Sequence, residues 1–87
     1  AGHGIFSGEA IAVAQAFPQV TLEPSWCPFY DIGAMVSTLG ANRVMFGADL
    51  PQNVPIMVES VKACGLSKED EKMVMGGTAK DFFKLNI

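Results

Sequence analysis

The stretch Arg43-Val-Met-Phe-Gly-Ala-Asp-Leu-Pro51, RVMFGADLP, decides how the chain is read. Four residues of strand character run into a glycine, and from there into a carboxylate held just before a proline. Branched and aromatic residues bounded by turn residues read as a strand, here Arg43 to Phe46. Asp is an ordinary turn residue, so a turn alone accounts for Asp49. A sharper role depends on what the rest of the chain sets beside it.

Upstream of this stretch, Ile32, Met35, Val36 and Leu39 recur at helical spacing from Asp31, and Gly40 stands where helices end. Val20-Thr-Leu-Glu23 reads as another strand, followed by the loop Pro24 to Phe29 with its two prolines. Gly8 to Phe17 reads as a helix carrying Ala10, Val13, Ala14 and Phe17 on one face, with Ser7 as N-cap and Pro18 as the stop. Downstream, Asn53 and Pro55 open a helix with Met57, Val58, Val61 and Cys64, closed by Gly65. Ser67-Lys-Glu-Asp70 has the capping-box form and starts a helix that should stop at Gly76-Gly77. Thr78 repeats the start signal ahead of Phe82, Phe83 and Leu85. Methionines 35, 45, 57, 73 and 75 fall on packing positions.

Strands alternating with helices predict an α/β fold with parallel pairing through right-handed crossovers, as one unit over residues 1–87. Parallel sheets are buried on both faces, so two strands are too few to stand alone. Other copies of the chain, or more of a larger protein, should cover the edges at Val20 and Val44 and the apolar residues Val20, Leu22, Val44 and Phe46. The opening Ala1-Gly-His-Gly4, with no Met and no element leading into it, reads as the middle of a longer chain.

The totals narrow the function. With six basic and nine acidic residues and a net charge of -3, the chain lacks the clustered cations of a nucleic-acid surface. No apolar run approaches the roughly 20 residues needed to cross a bilayer. Two cysteines, Cys27 and Cys64, are too few for a disulfide framework and read as reduced thiols of an intracellular, cytoplasmic protein.

In α/β folds of this kind, ligands bind beyond the carboxyl ends of the strands. Asp49 stands there after one strand, and Glu23 to Trp26 after the other. His3, flanked by glycines, would join them if a strand preceded it. A histidine and an aspartate in one mouth suit a divalent metal or proton transfer, and Trp26 suits a substrate wall. Each also has a plainer reading: His3 as a solvated terminal residue, Asp49 as a turn or cap, Glu23 as a surface acid and Trp26 as loop packing.

The order of these features resembles the C-terminal third of the amidohydrolase-related family, metal-dependent hydrolases and decarboxylases. Phe17-Pro-Gln-Val-Thr-Leu-Glu-Pro-Ser-Trp26 is similar to the family's "FPNVYLDTSW", and Leu39 to Pro51 is similar to "LGADRVLFGSDYP". Gly65 to Leu85 is similar to "GLSEEDREKILGGNAARLFGL", with Thr78 in place of the usual Asn and, further back, Pro24 in place of a small or polar residue. The resemblance covers nearly the whole chain. It implies a partial (β/α)8 TIM barrel: the last two parallel strands, their helices and a C-terminal helical tail. It also implies that Asp49 binds the metal, zinc for preference, and accepts a proton from the attacking water. His3 would bind a second metal or hold the water and the polarised substrate.

The parent enzyme would hydrolyse a carbon–nitrogen or ester bond of a small molecule, or decarboxylate an aromatic acid. The family's His-x-His pair and middle-strand ligand would lie upstream of residue 1, about 200 residues away for a barrel of ~250. Alone, the 87 residues would therefore be inactive, docked to the remainder of the barrel or to copies of themselves. The competing expectation is a self-associating α/β module without chemistry.

Overall fold

The computed structural model describes residues 1–86; Ile87, the last residue of the expected unit, lies outside them. Among the described residues no β-strand forms. Five α-helices carry the architecture: α1 (Ser7–Ala16), α2 (Phe29–Leu39), α3 (Val54–Ala63), α4 (Lys68–Lys72) and α5 (Thr78–Phe82). Short 3-10 turns cover Gly2–Gly4, Ala41–Arg43 and Pro51–Asn53, and a π-helical turn, Met73–Gly77, joins α4 to α5. The expected partial TIM barrel is thus corrected to an all-helical domain. Its radius of gyration, 11.8 Å, is near the roughly 12 Å of a folded chain of this length.

The two expected strands still meet, in parallel, but at one isolated bridge between Leu22 and Val44. Leu22 N–H donates to the Arg43 carbonyl at 2.9 Å, and Met45 N–H to the Leu22 carbonyl at 2.8 Å. The pairing stops there for local reasons. On one side the Val20 carbonyl is occupied by the Arg43 guanidinium, at 2.6 and 2.9 Å, while Val20 N–H turns back to Phe17. On the other side stands Pro24, which has no N–H to donate. Phe46 N–H leaves the pairing altogether and donates to the Val74 carbonyl of the π-helical turn at 2.8 Å. With no third paired segment among the described residues, a ladder so interrupted does not propagate into a sheet.

The core gathers around this bridge. Helix α2 packs between α1 and α3 and contributes Ile32, Met35 and Val36. Helix α3 contributes Met57 and Val61, and the π-helical turn Val74. Each such side chain stabilises the fold by about 1.5–3 kcal/mol through its removal from water. Leu22 and Val44 are buried too, and Val20 and Phe46, partly buried, pack against the same cluster, so the faces expected to lie open are covered in part within the chain itself. Exposed apolar surface lies elsewhere: Val13 of α1 and Phe17 just after it are exposed, although Ala14 of the same expected face is buried.

Start and stop signals fared unevenly. Ser67 caps α4, its Oγ accepting from Asp70 N–H at 3.1 Å, and Gly40 ends α2 at φ 96°. Ser7 opens α1 without capping it; its hydroxyl instead donates to Asp31 Oδ2 at 3.0 Å. Gly76-Gly77 does not stop the chain, because the extra residue of the π turn carries the helical path through to α5. Thr78, expected as a cap, is buried inside that path and donates to the Ala41 carbonyl at 2.6 Å. Of the methionines assigned to packing, Met35 and Met57 are buried, while Met75 is exposed.

Candidate functional site

Past the bridge, both segments bend in ways their sequences do not favour. Pro24 to Cys27 is a four-residue turn closed by Cys27 N–H to the Pro24 carbonyl at 2.9 Å, with Trp26 at its third position at φ 66°. Glycine or asparagine is the usual occupant of that position, because a side chain at positive φ crowds its own backbone. Asp49 is the middle residue of a three-residue turn closed by Leu50 N–H to the Ala48 carbonyl at 2.8 Å, with φ 69°. That is the rarer, strained hand of the γ-turn.

The two strained residues are joined. Trp26 Nε1–H donates to Asp49 Oδ2 at 3.0 Å, across the exposed end of the paired segments. A hydrogen bond to an ionised acceptor is among the stronger kinds, and this one fixes the direction of one carboxylate oxygen while Oδ1 stays open to other partners. Trp26 therefore orients the acid.

Asn53 fastens the turn from behind. Fully buried, it donates through Nδ2 to the Ala48 carbonyl at 2.9 Å, and its backbone N–H reaches the Leu50 carbonyl at 3.0 Å. The sequence pointed to Asn53 only as a helix opener, yet it makes no side-chain cap for α3. The Asp-x-x-x-Asn spacing across a proline was the one available signal.

Glu23 lies against the same end. Its carboxylate accepts from Ser25 N–H at 2.6 Å and from the Ser25 hydroxyl. A Cβ at residue 47 would collide with the Glu23 carboxyl group, so Gly47 leaves the space in which that acid sits. Gly47 is therefore packed closely against a side chain.

His3 sits in a 3-10 turn at φ 51° between Gly2 and Gly4, both also at positive φ. Gly4 is pressed against the loop: a Cβ there would stand 3.0 Å from Pro28 Cδ and 3.7 Å from the Trp26 carbonyl. The backbone beside His3 is thus close to the Trp26 loop. Its imidazole is exposed and, among the described residues, hydrogen-bonds neither Asp49 nor Trp26.

A catalytic zinc takes about three protein ligands and a water. Among the described residues no three His, Cys, Asp or Glu side chains come together to hold a metal. Asp49 and His3 do not make a metal site by themselves; the structure sets one oriented carboxylate beside the turn that holds the histidine. Both cysteines are free thiols. Cys27 is buried beside Ser7, and burial pushes the Cys64 thiol up from its ordinary value, partly offset by a backbone hydrogen bond with Gly33. No helix among the described residues is long and apolar enough to cross a membrane. Set against protein-family models, curated proteins and solved structures, the chain matches none.

Proposed function

We propose that this chain is part of a metal-dependent amidohydrolase-like enzyme and supplies its reacting carboxylate, Asp49. The observation that carries the reading is the Trp26–Asp49 pair: two non-glycine residues at positive φ, joined at 3.0 Å, at the carboxyl end of paired parallel segments. Strain of this kind costs about 1–3 kcal/mol per residue and persists where surrounding structure imposes it, often at sites of chemistry. The sequence likeness around RVMFGADLP supports the same assignment.

Within it, Asp49 receives the proton of an attacking water, a role suited to an exposed carboxylate held in one direction. His3 holds the polarised substrate from the adjoining turn. The substrate is a small amide, ester or aromatic acid, and the enzyme is cytoplasmic, in keeping with two unpaired thiols. The metal-dependent part of the reading rests on donors beyond these 87 residues, because one aspartate and one histidine are too few.

Calorimetric titration of the 87-residue chain with Zn²⁺ should reveal no tight site. A submicromolar site lost in Asp49→Asn would contradict that count of donors. Expressed with the sequence encoded upstream in its source gene, the protein should hydrolyse or decarboxylate small substrates in a metal-dependent way. There Asp49→Asn should cost at least about 100-fold in kcat, the scale of general acid–base catalysis; unchanged turnover would rule out the assignment.

One observation favours a second reading, a module that associates with its own copies. Ile5, Phe6, Tyr30, Ile56 and Phe83 are each more than half exposed, apolar surface that association with a second copy would cover. Light scattering on the purified chain decides this: a monodisperse 9.3 kDa monomer with a cooperative thermal transition would contradict association.

A further inference from the structure

Between the start of α2 and the outer face of α3 runs an open groove of about 540 Å³, lined by Phe29, Pro55, Ile56, Glu59, Ser60 and Ala63. Ile56 is 60% exposed there and Phe29 48%. Glu59 is the one charged residue of that wall among the described residues, and it meets Lys62 at 3.8 Å, one turn further along the same flank. Both side chains are exposed, so within one copy the pair contributes little. Past the end of α3 the surface is open: Ala63 is exposed, and a Cβ on Gly65 would meet nothing within 4 Å.

The chain carries a net charge of -3, so two copies repel each other unless the faces that meet are neutral between them. That condition separates the exposed apolar patches. Around Phe82 and Phe83 stand Lys80, Asp81 and Lys84, with cations in excess. Beside Ile5 and Phe6 stands Glu9, and no Lys or Arg precedes Arg43 in the chain. The α3 face instead sets one acid next to one base. A face that docks on itself about a two-fold axis must be complementary to itself. An axis at right angles to α3 runs the second copy antiparallel and keeps each flank on its own side. Centred between Glu59 and Lys62, it brings each Glu59 to the second copy's Lys62. The same register lays Ile56, three residues before Glu59, over the second copy's Gly65, three residues after Lys62. Acid meets base and large meets small, in both halves at once.

We propose that the chain forms an antiparallel two-fold dimer through this groove, anchored by Ile56 and set in register by two Glu59–Lys62 pairs between the copies. The proposal rests on the self-association reading of the exposed apolar residues and assigns the face through which it happens. Charged pairs across such a face decide register and partner more than total affinity.

Sedimentation velocity on the 87-residue chain tests this, at low salt where exposed charges are least screened. The unsubstituted chain should dimerise, and Ile56→Asp should leave it monomeric. Glu59→Lys alone and Lys62→Glu alone should each weaken the dimer about tenfold, because like charges then face each other twice in every dimer. An equimolar mixture of those two variants should dimerise again, and so should the chain that carries both substitutions. That recovery also shows the substituted chains to be folded. A dimer that none of these changes weakens would overturn this face and leave self-association standing. A chain that stays monomeric at every concentration would overturn both. Failure of the doubly substituted chain to dimerise would overturn the antiparallel register, and open-ended assemblies would overturn the two-fold closure.

Discussion

At the amino-terminal end of the paired segments, hydrogen bonds are abundant; at the carboxyl-terminal end, backbone strain accumulates. The Arg43 side chain alone reaches the carbonyls of Ala14 at 2.6 Å, Phe17 at 3.2 Å and Val20 at 2.6 and 2.9 Å, tying α1 and its exit to the second segment. Thr78 adds a buried bond to Ala41 close by. A few residues on, Trp26 and Asp49 both sit at positive φ with exposed side chains. The same two segments are clamped at one end and bent at the other. Strained turns persist only where the neighbouring structure over-determines them; here Asn53 holds the Asp49 turn from behind and the Trp26–Asp49 bond ties the two turns together.

Breaking the clamp should have the largest effect. Arg43→Ala removes one guanidinium that donates to three carbonyls, of which that of Phe17 keeps the Val20 N–H. At roughly 1 kcal/mol per hydrogen bond, more for a charged donor, the loss should be about 2–4 kcal/mol in urea unfolding. A loss below about 1 kcal/mol would mean that water replaces the guanidinium and that the clamp is ornamental.

Relieving the strain should act in the opposite direction. Asp49→Gly places at φ 69° the residue that tolerates it, and should raise stability by about 1 kcal/mol while removing the carboxylate. Equal or lower stability would show that the bond from Trp26 outweighs the backbone cost.

How far the sequence could have foretold this contrast depends on the residue. Helix α2 was legible because Ile32, Met35, Val36 and Gly40 are all local signals, and the structure uses every one. That the two short apolar runs meet in parallel followed from their separation by a helix; the register that sets Leu22 against Val44 did not. Its failure to become a sheet did not, because it turns on where one long side chain goes: Arg43 reads as a strand residue in the sequence and acts as a cap on carbonyls in the fold. Thr78 does open α5, as its start signal implied, but not as a cap. A Thr after two glycines looks like a helix start, and the π turn that makes it a buried crosslink has no local signature. At the site, Asp49 and Trp26 could be named, but their hydrogen bond could not, since it depends on two turns closing with unfavoured φ. Nothing in sequence spacing foretold that His3 would enter the neighbouring turn without reaching the acid.

The smallest effect should come from Gly47→Ala. Gly47 is not at positive φ, and its obstacle is the end of the flexible Glu23 side chain. Stability should change by less than about 1 kcal/mol, because a side-chain tip can swing away more readily than packed backbone. Glu23 should leave Ser25, visible as a shift of the Ser25 amide signal. A much larger loss would place backbone, not Glu23, over residue 47.

The Trp26 indole proton tests the central claim, that the clamped segments present Asp49 in one direction, most directly. Its NMR signal should lie downfield and exchange slowly with water in the unsubstituted chain, because Nε1–H is bonded to a carboxylate at 3.0 Å. In Asp49→Ala the signal should move upfield and exchange should quicken, while the amides of Leu22 and Met45, bonded within the bridge, stay protected. An indole signal with the same shift and exchange rate in both proteins would contradict the account, since Asp49 would then not be held by Trp26 at all.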